Sequence, residues 1–281
     1  MTFTVCVCLS AVGCGGRTPI TAGVFAALNR DTLPVGGPID VTLQFVVAPK
    51  GELPKDGRVL LRLIFADGEL MANYDHDPEP PTSQWQPGAT IRYTKRIFVR
   101  NVPYVGAAAL VVGLMSKETG KNVRLSGAED LGDKTYRAAA LTLQAAPSNI
   151  TYGDGWYRAE GNAETANEWR WTAEQAAMTM RNPQRDSVLY LRIGGAPSAN
   201  ETPQAVTIET EGRAVGRIEV KAATTDYEVP ISTADLGSSP DLKLLIKVDR
   251  TFVPARVSGG SDTRTLGVRV FNAFLEPKGK Q

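Results

Sequence analysis

Three carboxylates and the only histidine of this 281-residue chain lie within one short segment: Asp75, His76, Asp77 and Glu79. Carboxylates are the ligands that Ca²⁺ prefers, and carboxylates mixed with an imidazole suit a transition metal. The segment lacks the spacing of the twelve-residue calcium loop, and prolines at positions 78, 80 and 81 stiffen it against wrapping around an ion. We therefore predict a solvated, proline-rich loop that holds no metal.

The sequence contains no motif typical of covalent catalysis. A Ser-His-Asp triad would have to use His76 beside those prolines, and no G-x-S-x-G segment offers the serine of an α/β-hydrolase. Cys6, Cys8 and Cys14 precede the folded body, so we expect no cysteine nucleophile, disulfide or zinc site in it. No glycine loop with a lysine is placed to cradle a phosphate, and we predict no cofactor.

Aromatic side chains could instead bind a sugar, since a ring face packs on sugar C–H groups while polar neighbours take the hydroxyls. Trp156 and Tyr157 lie near the start of the second predicted domain, and they are the rings that we favour for exposure. Trp169 and Trp171 lie two positions apart, so on a strand they share a face. We expect that face to be part of the core.

Two Asp–Arg pairs, Asp249 with Arg250 and Asp262 with Arg264, flank a predicted strand pair near the end of the second domain. One interpretation is a polar ligand site at the edge of a loop. The other is that Asp–Arg pairs pin the long connection from residue 251 to residue 263, because arginine can bind a carboxylate through two nitrogens. The predicted carbohydrate site comprises Trp156, Tyr157, Asp262 and Arg264.

The elements that must position these residues have the pattern of β-strands. In residues 39–45 the odd positions are apolar and the even ones polar, which is typical of a strand between a core and water. Residues 59–66 and 107–114 are more uniformly apolar, as central strands are. With Pro, Gly and Asp turns between such runs, residues 17–145 predict an immunoglobulin-like β-sandwich.

A second series of about eight strand patterns, between residues 169 and 274, predicts a jelly-roll β-sandwich of the galactose-binding-like kind over residues 150–281. Within it, Ser232 can cap one helical turn that has Asp235 at its third position and Gly237 at its end. The predicted fold class is all-β, with two tandem β-sandwiches, and the chain length suits two domains.

An apolar run from Phe3 to Val12 precedes small residues and Cys14. This arrangement resembles a bacterial lipoprotein signal, which implies cleavage before Cys14 and a lipid on that residue. The run is shorter than the roughly 20 apolar residues that span a bilayer, so membrane attachment would be through the lipid alone. We assign residues 1–16 to a signal and tether, with an N-terminal strand that buries two thiols as the alternative.

Charge argues against two classes of partner. The chain has 31 Lys and Arg against 30 Asp and Glu, a net charge of +1, and both signs are scattered along it. We therefore predict no binding to nucleic acid or to an anionic membrane surface.

Short motifs stand out at residues 168–171, 249–255 and 262–270, and in the first domain at residues 67–69, 74–82 and 85–88. Together they resemble β-sandwich modules of the bacterial cell envelope, of the kind appended to membrane glycosyltransferases. The resemblance is a pattern of turns and strand cores. It implies a lipid-anchored or secreted envelope protein, with a carbohydrate polymer as the preferred ligand.

Three functions follow from these observations. The first is a non-enzymatic envelope module that binds a polysaccharide. The second is a structural or assembly subunit that binds other envelope proteins. The third is a glycan-active enzyme: hydrolysis needs two carboxylates roughly 5–10 Å apart in a cleft, and 30 acidic residues allow such a pair without any motif that isolates it.

Overall fold

The computed structural model describes residues 19–147, 149–162, 167–197 and 202–279. Cys14 and the predicted signal lie outside these residues. Within them the strands form two pairs of sheets, each pair enclosing its own hydrophobic core, and the two α-helices are short. This arrangement confirms the prediction of an all-β fold with two tandem β-sandwiches. No helix in the described ranges is long and apolar enough to span a bilayer.

Ten strands and one 3-10 helix (Thr82–Gln84) belong to the first sandwich: β1 (Ala22–Leu28), β2 (Thr32–Pro34), β3 (Pro38–Val47), β4 (Gly57–Phe65), β5 (Leu70–Asn73), β6 (Thr90–Phe98), β7 (Gly106–Ser116), β8 (Leu125–Ser126), β9 (Glu129–Gly132) and β10 (Thr135–Gln144). One sheet has the order β6-β3-β1-β8. The other has the order β2-β10-β7-β4-β5, with β9 paired to β10.

Within the described ranges, the second sandwich has ten strands and two helices: β11 (Thr151–Tyr152), β12 (Glu160–Asn162), β13 (Asn167–Trp171), β14 (Gln175–Arg181), β15 (Ser187–Gly194), β16 (Gln204–Thr210), β17 (Arg213–Val220), β18 (Thr225–Ile231), α1 (Thr233–Leu236), β19 (Asp241–Val248), α2 (Pro254–Ser258) and β20 (Arg269–Pro277). Its sheets have the orders β11-β14-β19-β16-β17 and β12-β13-β20-β15-β18. The domain boundaries 17–145 and 150–281 stay predictions.

Alternation along β3 builds the first core. Ile39, Val41, Leu43 and Phe45 are all buried, as the period-2 pattern predicts, and the residues between them are half-buried. The ring of Trp85 lies 5.1 Å from that of Phe45 and closes the core from the loop side. Burial of each such side chain contributes roughly 1.5–3 kcal/mol.

The predicted helical turn is present in the second sandwich as α1. The Ser232 side chain accepts a hydrogen bond from the Asp235 backbone N–H and donates one to the Asp235 carboxylate. Gly237 follows the last turn with a φ of 65°, a left-handed value that favours glycine. The cap and stop residues read from the sequence are thus confirmed.

The two sandwiches touch along the outer face of the sheet that contains β20. Phe274 of β20 is only 7% exposed, yet it belongs to neither core. Its ring lies beside the turn at Gly36 and Gly37 of the first sandwich, where a side chain on Gly37 would meet it at 3.3 Å.

Ion pairs flank this contact. Arg30 pairs with Glu276, and Arg96 pairs with both Asp40 of its own sandwich and Glu228 of the other. The contact between the sandwiches therefore combines one buried ring with charged groups at its rim.

Candidate functional site

A cleft of about 410 Å³ lies between the two sandwiches. Its first wall consists of β5, β6 and the loops next to them. Its second wall consists of β11, β13, β20 and Arg192 of β15, and the linker around Pro147 closes one side. The volume is within the roughly 300–1,000 Å³ typical of sites for small organic ligands.

Aromatic rings line the second wall. Trp169 and Phe271 contact each other with ring centroids 5.7 Å apart, and Tyr152, which is 39% exposed, lies at the edge of the same wall. Behind them the guanidinium of Arg269 stacks on Trp169, Trp171 and Phe271, at 4.9 to 5.6 Å from the ring centroids. These contacts fix the orientation of the rings.

Three buried polar atoms on this side have no hydrogen-bond partner within the described part of the chain: Trp169 Nε1, Asn272 Oδ1 and Arg269 Nε. Trp169 and Asn272 line the cleft, whereas Arg269 lies behind it. A buried polar group left without a partner costs about 1–3 kcal/mol, so such groups are rare where no other molecule supplies the missing bond. The second wall therefore has one buried donor and one buried acceptor whose hydrogen-bonding capacity the described part of the chain does not use.

The first wall has satisfied polar groups. Tyr74 donates its hydroxyl proton to the Phe98 carbonyl at 2.7 Å, and burial raises the pKa of this phenol. β6 is an edge strand, so the outward carbonyl of Phe98 has no neighbouring strand that could donate a hydrogen bond to it. Asp75 accepts hydrogen bonds from the Leu61 backbone N–H and from the Arg62 side chain, at 2.9 to 3.4 Å.

Cations outnumber carboxylates among the lining residues. The four cations are Lys95, Arg100, Arg170 and Arg192, and the two carboxylates are Asp75 and Glu168. Burial lowers the pKa of the Lys95 ammonium, and the positive charge of Arg192 lowers it further. Burial likewise lowers the pKa of the Arg269 guanidinium behind the wall.

In the acidic segment at residues 75–79, Asp75 lines the cleft and the later residues do not. Asp75 pairs with Arg62, and Asp77 pairs with Lys117 at 2.8 Å. His76 Nδ1 lies 2.9 Å from the Tyr74 carbonyl and Nε2 lies 2.9 Å from the Tyr93 hydroxyl. Burial lowers the pKa of this imidazole. In the ranges that the structure describes, no group of three His, Cys, Asp or Glu side chains is placed to hold a metal.

Trp156, the first of the predicted sugar-binding residues, packs against the second core. Its indole N–H donates to the Ala177 carbonyl at 2.7 Å, and its ring meets that of Tyr152 edge-on at 5.0 Å. Trp156 is half-buried and supports Tyr152 at the edge of the cleft, although it does not line the cleft itself.

Tyr157, Asp262 and Arg264 lie together, away from the cleft. Arg264 binds Asp262 through two nitrogens at 2.6 to 3.2 Å and reaches Glu160 at 2.7 Å. Its guanidinium lies 5.3 Å from the Tyr157 ring, and the Tyr157 hydroxyl donates to the Thr265 carbonyl. Hydrogen bonds from Arg264 lower the pKa of Asp262. This closed network suits the pinning role, and the predicted sugar site at these residues stays a prediction.

The sequence analysis missed most residues that line the cleft. Trp169 and Trp171 do share a face, as their spacing predicts, since both stack on Arg269. That face is the outer one, and neither tryptophan belongs to the second core. No sequence pattern marks Lys95 and Arg100 as residues of a site, because nothing in the sequence indicates which strand of the first sandwich contacts the second.

Comparison with known proteins found neither a matching family model nor a matching curated protein. Among solved structures, TmCBM61 bound to β-1,4-galactotriose aligns over 47% of this chain and 89% of its own, with 7% identity and a TM-score of 0.27. The CBM51-2 and INT domains of Clostridium perfringens ZmpB, bound to GlcNAc, align over 64% of this chain with 9% identity and a TM-score of 0.27. This chain covers only 39% of that structure.

The mosquito-larvicidal Cry4Aa toxin of Bacillus thuringiensis aligns over 94% of this chain and 54% of its own, with 9% identity and a TM-score of 0.31. At TM-scores this low, none of these similarities bears on the function of the chain.

Proposed function

We propose that this protein binds a carbohydrate in the cleft between its two sandwiches. The observation that carries the proposal is the second wall, where the rings of Trp169, Phe271 and Tyr152 adjoin the unpartnered Trp169 Nε1 and Asn272 Oδ1. A sugar has the matching properties, since one face of its ring presents C–H groups and its rim presents hydroxyls that both donate and accept.

Trp169 Nε1 and Asn272 Oδ1 are a donor and an acceptor on this wall that the described part of the chain leaves without partners. Asn73 and Asn101 also line the first wall, where Asn73 Oδ1 already accepts the Asp75 N–H at 2.8 Å and its NH₂ group could donate to a hydroxyl. The orientation of the rings by Arg269 reduces the entropy that binding must remove, because these side chains are already held in one arrangement.

The proposal is for binding without catalysis, in a protein of the cell envelope whose ligand is a polysaccharide. Asp75, one of the two carboxylates of the cleft, is engaged by Arg62 and the Leu61 N–H. Attachment to the membrane would be through a lipid on Cys14. Assays for hydrolysis of any bound polysaccharide test the alternative of a glycan-active enzyme.

The test is retention of the purified protein on a glycan array and on polysaccharide extracted from the producing cells. We expect specific retention that free sugar competes away, and at least a roughly tenfold loss in Trp169→Ala, which removes both ring and donor. Thermal unfolding of the variant verifies that it is folded. Trp169→Phe keeps a ring and should retain part of the affinity.

Tyr157→Ala and Arg264→Ala probe the site predicted from the sequence and serve as matched controls. Loss of retention in these variants, with Trp169→Ala unaffected, would move the site to residues 156–157 and 262–264. Absence of retention on every glycan by folded wild-type protein would overturn the proposed function. Co-purification with an envelope protein would then favour the assembly alternative.

A further inference from the structure

The residues that line the cleft have a larger excess of positive charge than the chain as a whole. The chain as a whole is +1, whereas the cleft has four lining cations and two lining carboxylates. A local excess of positive charge between two low-dielectric walls strengthens the field that an anion would meet there.

Pairing within the protein removes some of these charges. Asp75 is bound by Arg62 at 3.1 Å, and Arg192 lies 3.2 Å from Asp226. Lys95 and Arg100 form no ion pair with any carboxylate among the described residues, although Asp226 is close enough to Lys95 to act on it through space. Two cations of the first wall thus face the cleft without a bound counter-ion from the protein.

The surroundings of Lys95 on balance oppose its charge, because burial and Arg192 outweigh the attraction of Asp226. The residue is half-buried, and the guanidinium of Arg192 is a positive neighbour on the opposite wall. Burial next to a like charge is unfavourable for an ammonium group unless an anion arrives to offset it. Such an anion would interact with Lys95 more strongly than with an exposed surface lysine, because the site is partly shielded from water.

We propose that the sugar bound in the cleft is acidic, with its anionic group held by Lys95 and Arg100 while its ring packs on the second wall. This inference rests on the proposed function. The shared chemistry is an anion on a sugar ring, either the carboxylate of a uronic acid or a sulfate or phosphate ester.

The experiment measures dissociation constants for the full chain with three probes of equal length. The first is a uronic-acid oligosaccharide, and the second is the same oligosaccharide with its carboxyl groups reduced to alcohols. The third is an oligosaccharide without carboxyl groups that carries sulfate esters. We expect at least one anionic probe to bind tenfold or more tightly than the carboxyl-reduced one. The preferred anion identifies the source of the charge.

Lys95→Gln and Arg100→Gln should each weaken binding of the preferred anionic probe roughly tenfold, the range for a hydrogen bond to a charged group. They should leave binding of the carboxyl-reduced probe within about twofold, because the rings remain. Lys121→Gln removes an exposed charge away from the cleft and serves as the matched control. Circular dichroism and thermal unfolding verify that each variant is folded.

Equal affinity for charged and uncharged probes would overturn the acidic ligand and keep the carbohydrate function. Tight binding of an anionic probe that Lys95→Gln and Arg100→Gln leave unchanged would overturn the role of these two residues. Failure of wild-type protein to bind any probe, with no retention on the glycan array, would overturn both proposals.

Discussion

The two walls of the cleft differ in how their polar groups are used. On the first wall, Tyr74 and Asp75 are bound to partners of their own sandwich. On the second wall, Trp169 and Asn272 present buried polar atoms without partners in the described part of the chain. These two groups of the first wall contribute hydrogen bonds to their own sandwich, whereas Trp169 Nε1 and Asn272 Oδ1 contribute none within the described ranges.

The largest effect expected from this comparison concerns Tyr74. Tyr74→Phe leaves the edge-strand carbonyl of Phe98 without a donor, so we expect the free energy of unfolding to fall by about 1–2 kcal/mol. Urea denaturation measures this change. Tyr104→Phe is the matched control, because the Tyr104 hydroxyl donates to the Ala107 carbonyl in an exposed position where water can replace it. Equal losses in the two variants would contradict the comparison.

His76, behind the same wall, should give a smaller effect that depends on pH. Its pKa is lowered in the folded protein, mainly by burial, with Lys95 acting in the same direction and Asp75 and Asp77 opposing. The unfolded chain therefore binds a proton near pH 6.5 before the folded protein does, and stability present above that pH falls on acidification.

The corresponding measurement is the free energy of unfolding between about pH 7.5 and pH 5.5. The decline should be steeper in wild-type protein than in His76→Gln, which lacks the titrating group. Because this is the only histidine of the chain, the difference between the two curves reports on it alone. Parallel curves would show that the imidazole titrates normally in the folded protein.

The smallest effect is expected at the second wall. Trp169→Phe removes an N–H that has no partner, so without ligand the free energy of unfolding should change by less than about 0.5–1 kcal/mol. Trp85→Phe is the matched control, since the Trp85 indole donates to the Pro80 carbonyl at 2.8 Å in the first core. We expect a distinctly larger loss there by the same denaturation assay. A loss at Trp169 equal to that at Trp85 would mean that its N–H is satisfied.

Local patterns predicted local structure well. Alternation in residues 39–45 gave the buried face of β3, and Ser232 with Gly237 gave both ends of α1. Such features depend on neighbours within a few residues, so the sequence contains the information directly.

The site was harder to predict because it depends on which surfaces meet. The spacing of Trp169 and Trp171 gave their shared face, but alternation does not say which face of a sheet is covered. Trp156 closes the core because the Ala177 carbonyl, 21 residues away, accepts its N–H. The cleft itself arises from contact between residues as distant as Arg30 and Glu276.

The turn at Gly36 and Gly37 has a consequence for the width of the cleft. At this point the ring of Phe274 rests on bare main chain, with no side chain between the two sandwiches. The separation of the two sandwiches at this point is therefore set by contact between the Phe274 ring and the main chain of the turn, and a main chain has no rotamers to change it. A side chain at position 37 would press on the Phe274 ring and increase the separation of the two sandwiches beside the cleft, which Gly36 and Phe274 both line.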